Sequence, residues 1–313
     1  MSSIFDSHYD LLTYILMKRN DPEFLVKLCR EIYRKDNIIG GLINTYYMPK
    51  EDMIEELNIN DFDVVEHFKQ VNTIIEQYHL LPDRDNFLFA IEGCRFININ
   101  DLEQLYNFGL RSIIPIYNED NQYGGGALGD QERGLTEDGK KLIDEVLKLN
   151  IAIDISHANY KTANDILDYL KEKRENGINP TLLASHSNCN SLTPRNRNIT
   201  DEIIKKVGDL DGIIGILARK TFCSSVETED YDKALTDHVR HVINLIGIDS
   251  VCIASDDMEY HPDKSYQEVA MYDVRSFGVS IEKALKDNGF NKEEREKIMV
   301  KNFKTKVLDK INR

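Results

Sequence analysis

Eight short apolar runs, rich in β-branched residues, recur along this chain, each followed by a longer segment with helical spacing. That alternation leaves few architectures open. The runs are Ile4–Asp10, Ile38–Tyr47, Phe87–Gly93, Arg111–Tyr117, Ile151–His157, Thr181–Ser187, Gly212–Leu217 and Val251–Asp256. Between them, Leu142, Ile143, Val146 and Leu147, and again Val239, Val242, Ile243 and Ile246, recur at intervals of three and four and make one apolar stripe each. Thr136 before Glu137 and Asp138, and Thr200 before Asp201 and Glu202, read as helix starts: a hydroxyl accepts from the free N–H groups of the first turn, and carboxylates suit its positive end. Strands that are apolar throughout need cover on both faces, as in a parallel sheet wrapped by helices. Eight such units predict a closed (β/α)8 TIM-like barrel rather than an open doubly wound sheet. No linker or repeat interrupts the 313 residues, so a single domain with small loop additions is expected over 1–313.

The formal net charge of −15 argues against nucleic-acid or anionic-membrane partners, whose surfaces would repel it. No run reaches the ~18 apolar residues of a membrane span, and MSSIFDSHYD lacks the basic and apolar parts of a secretory signal, so a cytoplasmic protein is expected. Cys29, Cys94, Cys189, Cys223 and Cys252 are odd in number, scattered and without a C-x-x-C, so they read as reduced, mostly buried thiols.

Five runs carry ionisable residues at their C-terminal ends. His8 and Asp10 stand two apart and share a face if both lie on a strand; Glu92, His157, His186 and Asp256 close four other runs. In a barrel, that end is where side chains from different strands converge. One histidine ending a strand is usually a hydrogen-bonded structural residue. Several such groups withdrawn from water at one mouth cost several kcal/mol each unless partnered, and a metal is the usual compensation. His8, His157, His186, Asp10 and Glu92 are the nitrogen and oxygen donors zinc favours. Five donors exceed what one catalytic ion with an open position needs, so two ions sharing a carboxylate fit better. Asp256 then suits an acid/base role or ligation.

In this order and spacing the residues resemble the membrane (renal) dipeptidase family, dinuclear zinc peptidases among the amidohydrolase-type barrels. The similarity runs from about Ile4 to the C-terminus. Asp6-Ser7-His8-Tyr9-Asp10 stands for the family's D-G-H-x-D, Gly40-Gly41-Leu42 for G-G-V, and Ile91-Glu92-Gly93 for E-G-G. Gly134-Leu135-Thr136 through Asp154-Ile155-Ser156-His157 is similar to G-L-T-x-x-G…D-x-S-H. Ser185-His186-Ser187, Arg197-Asn198-Ile199-Thr200-Asp201, Ser255-Asp256 and Asn302-Phe303 follow. The resemblance implies two Zn2+ per chain: one on His8 and Asp10, one on His157 and His186, with Glu92 between them. It implies Asp256 as acid/base, Arg197 as holder of the substrate's terminal carboxylate, and a homodimer. Where the family has the histidine of L-T-H-N, this chain has Pro115-Ile116-Tyr117-Asn118; Tyr117 can donate a hydrogen bond to the substrate carbonyl but does not become a cation at neutral pH. Cys94 replaces a glycine, and Asp257-Met258-Glu259 alters the loop after Asp256.

The expected reaction is hydrolysis of a dipeptide or related short amide by a metal-bridging hydroxide, with Asp256 moving the proton. The alternatives are a metal-dependent amidase, lactonase or phosphoesterase acting on another small anionic substrate, a barrel that binds without catalysing, and a nuclease, which the net charge disfavours. His238 and His241 read as structural, and His67, His79 and His261 have no motif context. The runs Glu227–Asp232 and Lys292–Lys297 read as solvated surface. Gly124-Gly125-Gly126 is expected to shape a mobile loop over the barrel mouth.

Overall fold

A computed structural model describes residues 2–46, 63–227, 230–257 and 270–311. Tyr47, Met258, Glu259 and His261, and part of the Glu227–Asp232 run, lie outside the described residues. The strands are β1 (Ile4–Tyr9), β2 (Ile38–Tyr46), β3 (Phe87–Glu92), β4 (Leu110–Ile114), β5 (Ala152–Asp154), β6 (Leu182–Ala184), β7 (Ile213–Leu217) and β8 (Val251–Ala254). They pair in parallel and in chain order, and Asp6 opposite Ile253 closes β8 onto β1. This is the eight-stranded barrel expected from the alternating runs.

Strand alternation assigns the two faces. Leu88 and Ala90 of β3 point into the barrel with Phe5, Leu42, Ala152, Leu183, Ile213 and Cys252, whereas Phe87, Phe89 and Ile91 pack outward under the helices. The helical segment that closes the chain supplies Phe303, Val307, Leu308 and Ile311 to the inner cluster and so plugs the N-terminal end of the barrel. Phe303 stacks on Phe5 with ring centroids 5.7 Å apart. Asn302, beside it, donates to the carbonyls of Ile248 (2.7 Å) and Val251 (2.8 Å). Asn302→Ala leaves both buried acceptors without this donor and is expected to cost about 2 kcal/mol of stability, measurable by denaturant unfolding.

Thr136 and Thr200 cap helices Glu137–Lys148 and Asp201–Asp209 by accepting from Gly139 N and Ile203 N, as their sequence context predicts. All five cysteines are free and buried. The strand ends differ from the apolar runs. β5, β6 and β8 stop at Asp154, Ala184 and Ala254, so His157, His186 and Asp256 sit in the turns beyond. His157 (φ 68°) and Asp256 (φ 46°) adopt left-handed backbone, which cannot continue a ladder.

Candidate metal centre and substrate cavity

Glu92 reaches the barrel mouth by simple alternation, as the top of the inward column Leu88, Ala90, Glu92. His8 does not. Phe5 faces inward, so a regular strand would turn His8 outward. The register of β1 against β2 shifts between Asp6 and Tyr9, and His8 swings into the site. Asp10 lies past the strand, at the head of helix Leu11–Met17, rather than two positions along the same face. Asp6 secures the distorted end: its carboxylate accepts from His8 N (3.1 Å), Ser255 N (2.9 Å) and Ser255 Oγ (2.5 Å), tying β1 to the turn after β8. Burial, only partly offset by these bonds from Ser255 and His8, pushes Asp6 up to about 7.

The donors converge. His157 Nε2 lies 2.6 Å from Glu92 Oε1, His186 Nε2 3.3 Å from the same oxygen, and His8 Nε2 3.4 Å from Glu92 Oε2 and 3.6 Å from Asp10 Oδ1. His157 Nε2 and His186 Nε2 are 2.8 Å apart. Three triplets, His8–Asp10–Glu92, Glu92–His157–His186 and His8–His186–Asp256, each bring their donor atoms within 4.8 Å of one another. Glu92 belongs to two of them.

The outer nitrogens explain why these atoms face one another. His157 Nδ1 is 2.7 Å from Asn118 Oδ1, an acceptor, so this nitrogen carries the proton and Nε2 presents a lone pair. His186 Nδ1 and His8 Nδ1 lie 2.8 and 3.2 Å from Ser185 Oγ. Imidazole lone pairs crowded against a buried carboxylate repel unless a cation lies among them. His8 Nε2, Asp10 Oδ1 and Glu92 Oε1 are also buried without a hydrogen-bond partner. The residues therefore fit divalent metal.

The titration behaviour is polarised. Burial and the His8 charge hold His186 well below the ordinary histidine range, and burial with the Arg197 charge lowers His157 to about 4. Burial resists charge on His8, yet Glu92 and Asp10 together raise it well above its usual value. Burial likewise resists charge on Glu92, but His157 and His8 hold it well below the ordinary carboxylate range. Burial pushes Asp10 up to about 7 against the pull of His8.

Above these donors opens a cavity of about 550 Å³, bordered by Asp10, Glu92, Tyr117, His157, Arg197 and Asp256 among others. Tyr117 stacks on the His157 ring with centroids 4.6 Å apart. Arg197 is partly buried with its guanidinium 6.0 Å from the Phe222 ring; burial lowers its pKa, countered by the facing charges of Glu92 and Asp256. All eight residues singled out from the sequence thus border one space or lie within its donor cluster.

Sequence reading missed Arg219. It is 3% exposed, and its Nη1 donates to Asp256 O (2.7 Å) and Asp256 Oδ2 (3.2 Å). The signal was present, because Arg219 is a charged residue just past the seventh apolar run, the criterion that marked the other strand ends. Asn118 and Ser185 stood inside quoted motifs without a role.

The glycine run is a correction. Gly124, Gly125 and Gly126 are buried packing, not a mobile loop over the mouth. A Cβ on Gly126 would lie 2.4 Å from the Asn118 carbonyl oxygen and 2.5 Å from that of Tyr117, so glycine lets the backbones touch. Ala127 N, next along, donates to His157 O (2.8 Å), and Leu128 N to Asn118 O (2.8 Å). The run buttresses the turns that carry His157 and Asn118. His238 is held by Cys189 N (3.1 Å) and Cys223 O (3.1 Å), and His241 by Asp201 (2.8 Å), away from the donor cluster.

A protein in the pqqA 5′ region of Klebsiella pneumoniae is 35% identical over 165 residues, 50% of this chain and 58% of that protein. A solved metallo peptidase from Rhodobacter sphaeroides, liganded with a phosphinate mimic of the dipeptide L-Ala-D-Ala, superposes with TM-score 0.72 at 19% identity over 99% of both chains. A dipeptidase structure assigned to peptidase family M19 gives 0.73 at 20% identity over 98% of both chains. These structural likenesses establish the barrel. Among the described residues, no helix is long and apolar enough to cross a membrane. The profile of membrane dipeptidase (Peptidase family M19) matches residues 48–313, starting after His8 of β1 and Asp10 at the head of the next helix, which the fold brings to the matched Glu92, His157 and His186. The chain belongs to the membrane dipeptidase family.

Proposed function

We propose that this chain hydrolyses the peptide bond of dipeptides or closely related short amides at a two-zinc centre. The observation that carries the reading is the convergence of three imidazole Nε2 atoms on Glu92 beneath a cavity that also holds Arg197 and Asp256. His8 and Asp10 would hold one ion, His157 and His186 the other, and Glu92 both. Bound there, divalent zinc supplies Lewis acidity and makes a water-derived nucleophile available at neutral pH.

The chain's own groups do the rest. Arg197 pairs with the free C-terminal carboxylate through its planar fork, which selects short substrates and sets the distance to the scissile bond. Tyr117 offers its phenolic O–H to the scissile carbonyl oxygen. Asp256 takes the proton from the attacking water on one carboxylate oxygen and delivers it to the leaving amine. Arg219 keeps Oδ2, while Oδ1 faces the cluster 3.9 Å from His8 Nε2.

Purified protein assayed on a panel of dipeptides, including ones with a C-terminal D-residue, alongside simple esters and lactones, tests the reading. Zinc-dependent dipeptide turnover that a chelator abolishes is expected; turnover of esters or lactones alone would overturn it. Arg197→Met should lower kcat/KM for dipeptides roughly 10- to 100-fold, the worth of a lost charge-assisted pair, with unchanged metal content.

A further inference from the structure

We infer that Ser185 is a positioning residue shared by the two halves of the metal centre, one hydroxyl that orients a ligand of each ion. The inference rests on the two-zinc reading above. Ser185 continues the inward column of β6 above Leu183 and is 1% exposed at the floor of the site. Its Oγ lies 3.2 Å from His8 Nδ1 and 2.8 Å from His186 Nδ1, whose rings are 3.8 Å apart between centroids.

A hydroxyl has one hydrogen to give and two lone pairs to offer. The proposed arrangement directs that hydrogen toward the buried Asp154 carboxylate, which also accepts from the Ser185 N–H (3.1 Å). Both lone pairs are then left to accept Nδ1–H, one from each ring. That arrangement places the proton of both rings on Nδ1 and turns both Nε2 lone pairs toward the metal pockets.

The hydroxyl is held from behind. Ser185 N donates to Asp154 Oδ1 (3.1 Å), and Ser185 O accepts from Ser7 Oγ (2.7 Å). Asp154 Oδ1 also accepts from Ser156 N (2.9 Å), so its position is set by the turn that leads to His157. The third ring has a private partner instead, since His157 Nδ1 meets Asn118 Oδ1. Removing the outer partner of a metal-ligating histidine typically costs about 10- to 100-fold in metal affinity. Ser185 and Asn118 should therefore leave different signatures: the first acts on both ions, the second on one.

The test is zinc titration of the metal-free full chain against a competing chelator, resolving two dissociation constants, for wild type, Ser185→Ala, Ser185→Thr and Asn118→Ala. Circular dichroism confirms folding; Ser185→Cys, nearly isosteric and a weak acceptor, replaces Ser185→Ala should the latter not fold. The expected result is that Ser185→Ala weakens both steps by roughly 10-fold or more. Asn118→Ala should weaken one step only, and Ser185→Thr, which keeps the hydroxyl, should stay within about threefold of wild type. If Ser185→Ala leaves either step near wild type, or Ser185→Thr weakens both as strongly as alanine does, the shared hydroxyl is overturned while the two-zinc reading stands. Wild-type protein that binds fewer than two ions overturns both.

Discussion

Asp256→Asn is expected to lower kcat by about 10²–10⁴ while the protein keeps its zinc, because the change removes the proton carrier and the charge facing Arg219 but keeps the shape of the side chain. Asparagine matches aspartate in shape. The Arg219 bond to the backbone carbonyl of residue 256 (2.7 Å) does not depend on the side chain, so the turn after β8 should hold its conformation. An amide cannot accept the proton of the attacking water or return one to the leaving amine. Steady-state kinetics on the best dipeptide, paired with metal analysis of the same sample, separates the effects. Unchanged turnover at full metal content would remove Asp256 from the reaction; loss of zinc with turnover would make it a ligand, as its place beside His8 and His186 in the third donor triplet allows.

The second large effect concerns Glu92. On the proposed two-zinc reading, Glu92→Gln should lose at least one ion and roughly 10³-fold or more in kcat/KM, since it removes the carboxylate common to both donor triplets that would hold the ions. An independent readout exists in metal-free protein. The charge of Glu92 is the largest influence raising His8, so the variant's His8 should lose its proton at a lower pH than in wild type, followed by NMR. The sign is set by charge: removing an anion 3.4 Å from Nε2 makes the protonated ring less favourable. A Glu92→Gln protein that binds two zinc ions and turns over like wild type would refute the bridging assignment.

Much of the site was legible because strand chemistry is repetitive. Leu88-Phe89-Ala90-Ile91-Glu92 needs only period-2 alternation to put its carboxylate inside the barrel, and the structure obeys it. His8 needed more. Alternation from Phe5 points it the wrong way, and the register shift that corrects this arises from pairing with β2 and from the Asp6 bonds to the turn after β8, hundreds of residues away. The left-handed turns at His157 and Asp256 were similarly hidden, since neither residue is a glycine and no local signal marks such backbone. The glycine run was misread because its meaning lies in what it touches, the backbone of Tyr117 and Asn118, not in its own flexibility.

By itself the sequence determined the eight-unit barrel, the helix starts at Thr136 and Thr200, and the identity of the ionisable residues gathered at one mouth. These follow from periodicity and residue type, which are local and read along the chain. Only the tertiary structure decided which imidazole nitrogen faces inward, that Arg219 holds Asp256, and that one serine hydroxyl lies beside the rings of both His8 and His186. Such relations depend on distances of about 3 Å between residues far apart in the chain, and hydrogen-bond direction at that range is set by barrel closure and strand register rather than by local composition.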